Sequence, residues 1–161
     1  MRVGIGYDIH RLERGGKLLL GGLHIPHKKG LVGHSDADVL LHALVDAVLG
    51  ALGEGDIGSH FSDKDARTRG ASSFLFVRKT WDLLKARRLR IVNLDCTIVA
   101  EEPKLGPHRD AIRRSVAKSF GLSLDQVSVK AKTNEGLGPI GQKKAIACFA
   151  IAALAKESRK K

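Results

Sequence analysis

Between Ser35 and Gly53 the apolar residues Leu40, Leu41, Leu44, Val48 and Leu52 recur at helical spacing, with Asp38, His42 and Asp46 at i, i+4 and i+8. This run predicts a helix from about Asp36 to Leu52, capped by Ser35 with Asp38 three residues on and stopped by Gly53. A helix of this kind must bury its apolar stripe against another element. A different period begins at the N-terminus: Val3, Ile5, Tyr7 and Ile9 alternate with Gly4, Gly6, Asp8 and His10, the pattern of a half-buried strand. Asp8 and His10 therefore share one face of that strand.

The remaining chain alternates the same two periods. A short strand is expected at Leu18 to Leu20, and Gly21-Gly22 with His24-Ile25-Pro26 predicts a hairpin or loop. Gly55 to Gly70 reads as an exposed loop carrying Asp56, Asp63 and Asp65. A helix from Ser72 to about Arg88 buries Val77, Trp81 and Leu84, and the strand Ile91 to Val99 sets Val92, Leu94, Cys96 and Ile98 against Asn93, Asp95 and Thr97. After a loop punctuated by Pro103 and Pro107 come a helix from about His108 to Phe120 and a strand from Val127 to Lys132. Periodicity alone leaves Lys144 to Ala155 open between buried strand and helix. Strands interleaved with helices over 161 residues predict one α/β or α+β domain.

Composition excludes several classes. With 43% hydrophobic and 28% charged residues the chain is neither disordered nor collagen-like. Its longest clean apolar stretch, Ala145 to Ala155, is shorter than the ~20 residues that span a bilayer, so no membrane or export segment is expected. Cys96 and Cys148 lack a close cysteine partner, which argues against a disulfide framework and for a reducing, cytoplasmic setting. The net charge of +11 admits nucleic acid as a partner, but the seven aromatic residues and the absence of nucleic-acid-binding signatures equally describe a solvated basic surface.

Asp8, His10 and His42 offer one carboxylate and two imidazoles, the ligand set of a three-coordinate catalytic zinc site. Their spacing alone fits hydrogen-bonded structural groups as well. His34-Ser35-Asp36-Ala37-Asp38, at a helix start, provides backbone N–H groups for a phosphate or simply caps the helix. Asp46, one turn beyond His42, is either a carboxylate that orients this histidine or an ordinary helix charge. Gly136-Leu137-Gly138-Pro139-Ile140-Gly141 matches a dinucleotide-binding pattern, yet only 20 residues follow it, too few for the ~30-residue βαβ unit.

Several motifs occur in order over residues 1–156, leaving 157–161 as a basic tail: Gly6-Tyr7-Asp8-Ile9-His10, His34 to Asp38, His42-Ala43-Leu44, Gly55-Asp56-Ile57-Gly58, Phe61-Ser62-Asp63, Pro103-Lys104-Leu105 and Lys130 to Gly138. Together they resemble the 2-C-methyl-D-erythritol 2,4-cyclodiphosphate synthase family. The resemblance implies an α+β domain with a mixed sheet covered by helices on one face, assembled as a homotrimer with active sites between subunits. It implies an intramolecular phosphoryl transfer that closes a cyclodiphosphate and releases CMP from a cytidine diphosphate-linked substrate, with no specific role for nucleic acid or membrane. By the same resemblance, Lys144 to Ala155 is a buried strand.

The implied residue roles are as follows from that likeness. Asp8, His10 and His42 hold Zn²⁺, and Asp8, His10, His34 and Ser35 also meet the phosphate. His34 and Thr133 stabilise the transition state, while Glu135 holds Mg²⁺ or Mn²⁺ on the diphosphate. Asp56, Ile57, Gly58, Phe61, Ser62, Asp63, Lys64 and Asp65 grip the methylerythritol. Ala100, Glu101, Glu102, Pro103, Lys104, Leu105, Gly106 and Ala131 form the cytosine pocket. Lys132, Asn134, Pro139 and Gln142 complete the substrate-binding set. Three positions depart from the common pattern: Lys132 replaces a hydroxyl beside the diphosphate, Ser62 replaces a proline, and Gln142 replaces an arginine near the threefold axis. Lys132 can meet phosphate as a point charge. With Gln142 the occupancy of an axial cavity by an isoprenoid diphosphate stays open, Lys143 and Lys144 being the neighbouring cations.

Overall fold

The computed structural model describes residues 1–61 and 70–157. Strands β1 (Arg2–Arg14), β2 (Leu18–Leu20), β3 (Leu23–Ile25) and β4 (Lys29–Val32) lead into helix α1 (Val39–Leu52) and a single helical turn, α2 (Ile57–His60). Helix α3 (Phe74–Ala86), strand β5 (Leu89–Val99), helix α4 (Arg109–Ser119), strand β6 (Val127–Lys132), the turn α5 (Gly138–Gly141) and strand β7 (Ala145–Lys156) follow. The main sheet has the order β4-β1-β7-β5-β6 and is mixed, because β5 and β6 run parallel while the other neighbours are antiparallel. Strands β2 and β3 form a hairpin, one of the two alternatives left open by Gly21-Gly22. The segment left open by periodicity is thus strand β7, paired with β1 on one side and β5 on the other. A bulge between Ile91 and Asn93 lets β5 bury both Ile91 and Leu94, breaking the simple alternation read from its sequence.

Helix α1 lies across β1 and β7 and is buried on nearly every side, from Val39 to Leu52. Its N-cap is Asp38, not Ser35, and the first helical residue is Val39 rather than Asp36. The Asp38 carboxylate accepts from Leu41 N at 3.0 Å and also from Gly21 N and Gly22 N at 2.9 and 2.6 Å. It therefore closes the helix end and fastens the β2–β3 hairpin to it, satisfying donors that burial would otherwise leave unpaired. Burial pushes the Asp38 pKa up, against the pull of the donors at Gly22, Leu41 and Gly21. At the other end Gly53 takes a left-handed conformation, φ 74°, and terminates the helix as its sequence predicts.

The N-terminal strand has the expected period with an unexpected inner side. Gly4, Gly6, Asp8 and His10 face α1, whereas Val3 and Ile5 are 63% and 71% exposed on the opposite side. Van der Waals contact explains this inversion. A Cβ on Gly4 would lie 2.1 Å from the Ala47 carbonyl oxygen, and one on Gly6 would lie 2.0 Å from that of Ala43. Helix backbone thus rests directly on strand backbone, with only alanine on the helix side, and no larger residue fits at either glycine. Helices cover the inner side of the sheet, while its outer side presents Val3, Ile5, Tyr7, Ile9, Phe149 and Ile151.

Replacing Gly6 by Ala should force α1 off the sheet and lower unfolding free energy by about 1–3 kcal/mol in urea denaturation. Gly106→Ala, where an added Cβ meets nothing within 4 Å, should stay within about 0.5 kcal/mol of the parent. Equal melting of the two variants would contradict the close-approach account.

Candidate active site

The glycine contact sets the height of α1 over β1, and His42, on the first turns of that helix, meets the two polar residues that continue the glycine side of the strand. His42 Nδ1 lies 2.9 Å from Asp8 Oδ2 and 3.1 Å from His10 Nε2, and His10 Nε2 lies 3.4 Å from Asp8 Oδ2. These three atoms converge, the sole such His/Cys/Asp/Glu group among the described residues. A tetrahedral zinc with bonds of about 2.0–2.1 Å has ligand–ligand edges of about 3.3 Å.

The donor set also fits a cation chemically. His10 Nδ1 is 3.0 Å from the Ile9 carbonyl, which can only accept, so the proton of the neutral ring sits on Nδ1 and a lone pair on Nε2. Burial pushes the His10 pKa down, against the opposing pull of Asp8, which keeps the ring in the neutral, metal-binding form. A lone pair facing a carboxylate oxygen and a second imidazole is held comfortably only around a positive charge.

The triad opens on a cavity of about 400 Å³, walled also by Gly33, His34, Ser35, Asp46, Ile57, Gly58, Phe61 and Phe76. Phe61 and Phe76 pack with tilted rings at 4.7 Å between ring centres, and Phe76 lies 5.5 Å from the His42 ring, giving the site an apolar wall. Ser35, freed from capping α1, places Oγ 3.0 Å from His42 Nε2. His42 Nε2 is also 2.9 Å from Ser73 Oγ, a contact not anticipated from spacing. Asp46, considered above as the group that orients His42, instead accepts from Ile57 N at 2.8 Å and so hangs α2 from α1. Burial pushes the Asp46 pKa up. Asp38, on the same predicted stripe, turns away to the backbone donors already described.

Asp56 caps α2: its Oδ1 accepts from Ser59 N and Ser59 Oγ, both at 2.8 Å, and the hydroxyl bond holds the carboxyl below its ordinary pKa. Its Oδ2 bonds none of the described residues. Ser62, Asp63, Lys64 and Asp65 lie outside the described residues.

A second cavity, of about 470 Å³, is lined by Ala100, Glu101, Pro103 to Pro107, and Ala131 to Thr133. It holds most of the segment anticipated as the cytosine pocket, and it shares no lining residue with the first. Glu101 Oε2 accepts from Asn134 N at 3.1 Å and braces its floor. Glu102 points elsewhere: it pairs with Lys29 Nζ at 2.7 Å, and that hydrogen bond depresses its pKa. Thr133 Oγ1 donates to Glu135 Oε1 at 2.8 Å. Within one chain, then, His34 and Thr133 belong to different cavities, and Glu135 stands apart from the Asp8, His10, His42 group. Pro139 and Gln142, on and just after α5, line neither.

The chain is similar to known proteins along nearly its whole length. The YgbB family pattern matches residues 1–155. A 2-C-methyl-D-erythritol 2,4-cyclodiphosphate synthase from Gloeobacter violaceus is 54% identical over 154 residues, covering 96% of this chain and 94% of that one. A CDP-bound structure of a synthase of the same name superposes with a TM-score of 0.88 at 40% identity, covering 96% of this chain and all of that one. The bifunctional IspDF of Campylobacter jejuni superposes at 0.92 and 35% identity over 98% of this chain, which spans only 42% of that longer protein. With the metal-ligand geometry in place and likeness running nearly end to end, the chain belongs to the YgbB family of 2-C-methyl-D-erythritol 2,4-cyclodiphosphate synthases.

Proposed function

We propose that the two cavities are halves of one active site, joined when copies of the chain assemble as a homotrimer. The reaction of the family turns 4-diphosphocytidyl-2-C-methyl-D-erythritol 2-phosphate into 2-C-methyl-D-erythritol 2,4-cyclodiphosphate and CMP, an isoprenoid-precursor step. An oxygen of the 2-phosphate bonds to the β-phosphorus, and the bond from that phosphorus to the oxygen bridging it to the α-phosphate breaks, with CMP as leaving group. No protein nucleophile is needed, so catalysis rests on alignment and on neutralising charge.

The convergence of Asp8 Oδ2, His10 Nε2 and His42 Nδ1 on one point beside a cavity carries this reading. A zinc ion held there would supply a Lewis acid for a phosphate oxygen. His34 and Ser35 sit on the same wall and donate to that phosphate. Asp56, capping α2 next to the cavity residues Ile57 and Gly58, offers its Oδ2 to the methylerythritol hydroxyls, and Ile57, Gly58 and Phe61 shape the space around them. In the other half, backbone groups of residues 100–106 with Ala131 read the cytosine edge, and Thr133 stabilises charge on the diphosphate beside Lys132. Glu135, hydrogen-bonded to Thr133, would hold the second divalent ion, Mg²⁺ or Mn²⁺.

The outer side of the sheet supports the trimer. Ile5, Tyr7, Phe149 and Ile151 form one apolar surface, with Tyr7 and Phe149 stacked at 4.8 Å, and leaving it in water forfeits roughly 25 cal/mol per Å². Burial of this sheet side between three copies brings separate cavities toward one another.

Three outcomes test the proposal. Light scattering should give three times the 17.4 kDa chain mass, and Ile5→Asp should shift it to monomer with loss of turnover. His42→Ala should lose bound zinc and CMP release together; full turnover without zinc would refute the metal assignment. Asp56→Ala should raise KM about 10-fold with little change in kcat, as expected when a charged acceptor leaves a bound hydroxyl. An unchanged KM would remove Asp56 from the site.

A further inference from the structure

Ser73 opens α3 at the position where serine ordinarily caps a helix, yet its side chain makes no capping hydrogen bond. The hydroxyl is fully buried and turned backward. It donates to Asp36 Oδ1, and it lies 2.9 Å from His42 Nε2. Asp36 is itself fixed: Oδ2 accepts from Ser73 N at 2.9 Å, and Asp36 N donates to the Ala71 carbonyl at 3.0 Å. A hydroxyl has one proton. With that proton given to Asp36, Ser73 Oγ can only accept from His42, so the proton of the neutral His42 ring resides on Nε2 and the lone pair on Nδ1. Nδ1 is the atom that meets Asp8 and His10.

We propose that Ser73 and Asp36 are positioning residues for the metal centre, a carboxylate–hydroxyl–imidazole chain that locks His42 in the tautomer able to ligate through Nδ1. The inference rests on the metal reading given above. It also divides labour between the two serines beside His42 Nε2. Ser35 Oγ accepts from Ala37 N at 3.2 Å and lies 3.0 Å from His42 Nε2, and because a protonated Nε2 cannot accept, the Ser35 proton stays available to a phosphate in the cavity. Ser73 carries the orienting contact, and Ser35 faces the substrate. The chain also ties the start of α3 to the segment before α1, so the two elements flanking the cavity are registered on the histidine that binds in it.

The full-length chain tests this in two ways. In zinc-free Asp8→Ala, where no carboxylate faces Nδ1, nitrogen-15 NMR of the histidine rings should report the Nε2–H tautomer for His42; the Nδ1–H tautomer would overturn the proposal. With Asp36→Ala added to that variant the Ser73 hydroxyl is free to donate to Nε2, so His42 should shift toward the Nδ1–H form, whereas adding Ser35→Ala should leave the tautomer unchanged. A merely structural tie would not move this signature. In competition with a chromophoric chelator, Ser73→Ala and Asp36→Ala should bind zinc about 10–100-fold more weakly than the parent. Zinc affinity within about twofold of the parent in both variants, with the ion lost in His42→Ala, would overturn this proposal alone. Retention of zinc by His42→Ala would overturn the metal reading beneath it. Should Ser73→Ala fail to fold, the tautomer in Asp8→Ala and the zinc affinity of Asp36→Ala decide the question.

Discussion

The contact of α1 with the glycines of β1 governs the rest of the molecule. Because Gly4 and Gly6 carry no side chain, the helix backbone approaches the sheet closely enough for the next residues on that strand side, Asp8 and His10, to meet His42. A wider separation would leave the three ligand atoms too far apart to share one ion. The same choice turns Val3, Ile5, Tyr7 and Ile9 away from the helices, so the strand that supplies Asp8 and His10 to the candidate metal site also builds an apolar outer surface. Packing within the chain and the exposed apolar side of the sheet thus follow from one alternation of glycine with large apolar residues.

Charge is distributed along the short run before α1 with comparable economy. His34 and Ser35 face the cavity, Asp36 turns to Ser73, and Asp38 caps the helix while holding the β2–β3 hairpin. Two of these carboxylates therefore serve the fold and the histidine, not the substrate. Their local hydrogen bonds are those from Leu41 N to Asp38 and from Asp38 N to Asp36. The others cross to Gly21, Gly22 and Ser73, which makes this segment the junction of the hairpin, α1 and α3.

Much of this was legible in the sequence, and what was not has physical reasons. The ends of α1 at Leu52 and of β6 at both termini follow from periodicity and from Gly53. The ligand set Asp8, His10, His42 was visible by residue type, and the family motifs placed His34, Ser35, Ile57, Gly58 and Phe61 near it. The inner side of β1 was not, because alternation gives a period and not the identity of the neighbour; only a partner as narrow as the Ala43–Ala47 face makes glycine the buried side. Ser73 falls without a role inside the helix expected from Ser72, and Asp46 stays open between orienting His42 and an ordinary helix charge, because helical spacing says nothing of which side chain arrives from another element. The bulge in β5 and strand β4 left no clear local signal either.

On the proposed reading each chain carries two separate half-sites, one around Asp8, His10 and His42 and one around Thr133, which work only across a subunit boundary. Subunit mixing tests it most directly. Zinc-site variant His42→Ala and diphosphate-side variant Thr133→Ala, each inactive alone, would be dissociated together, reassociated and assayed for CMP release. Random assembly then joins an intact half from each parent in about a quarter of the interfaces, as the symmetry of a cyclic oligomer dictates, and activity should return to about that fraction of the parent. No recovery from mixed assemblies that have demonstrably exchanged subunits would contradict the account.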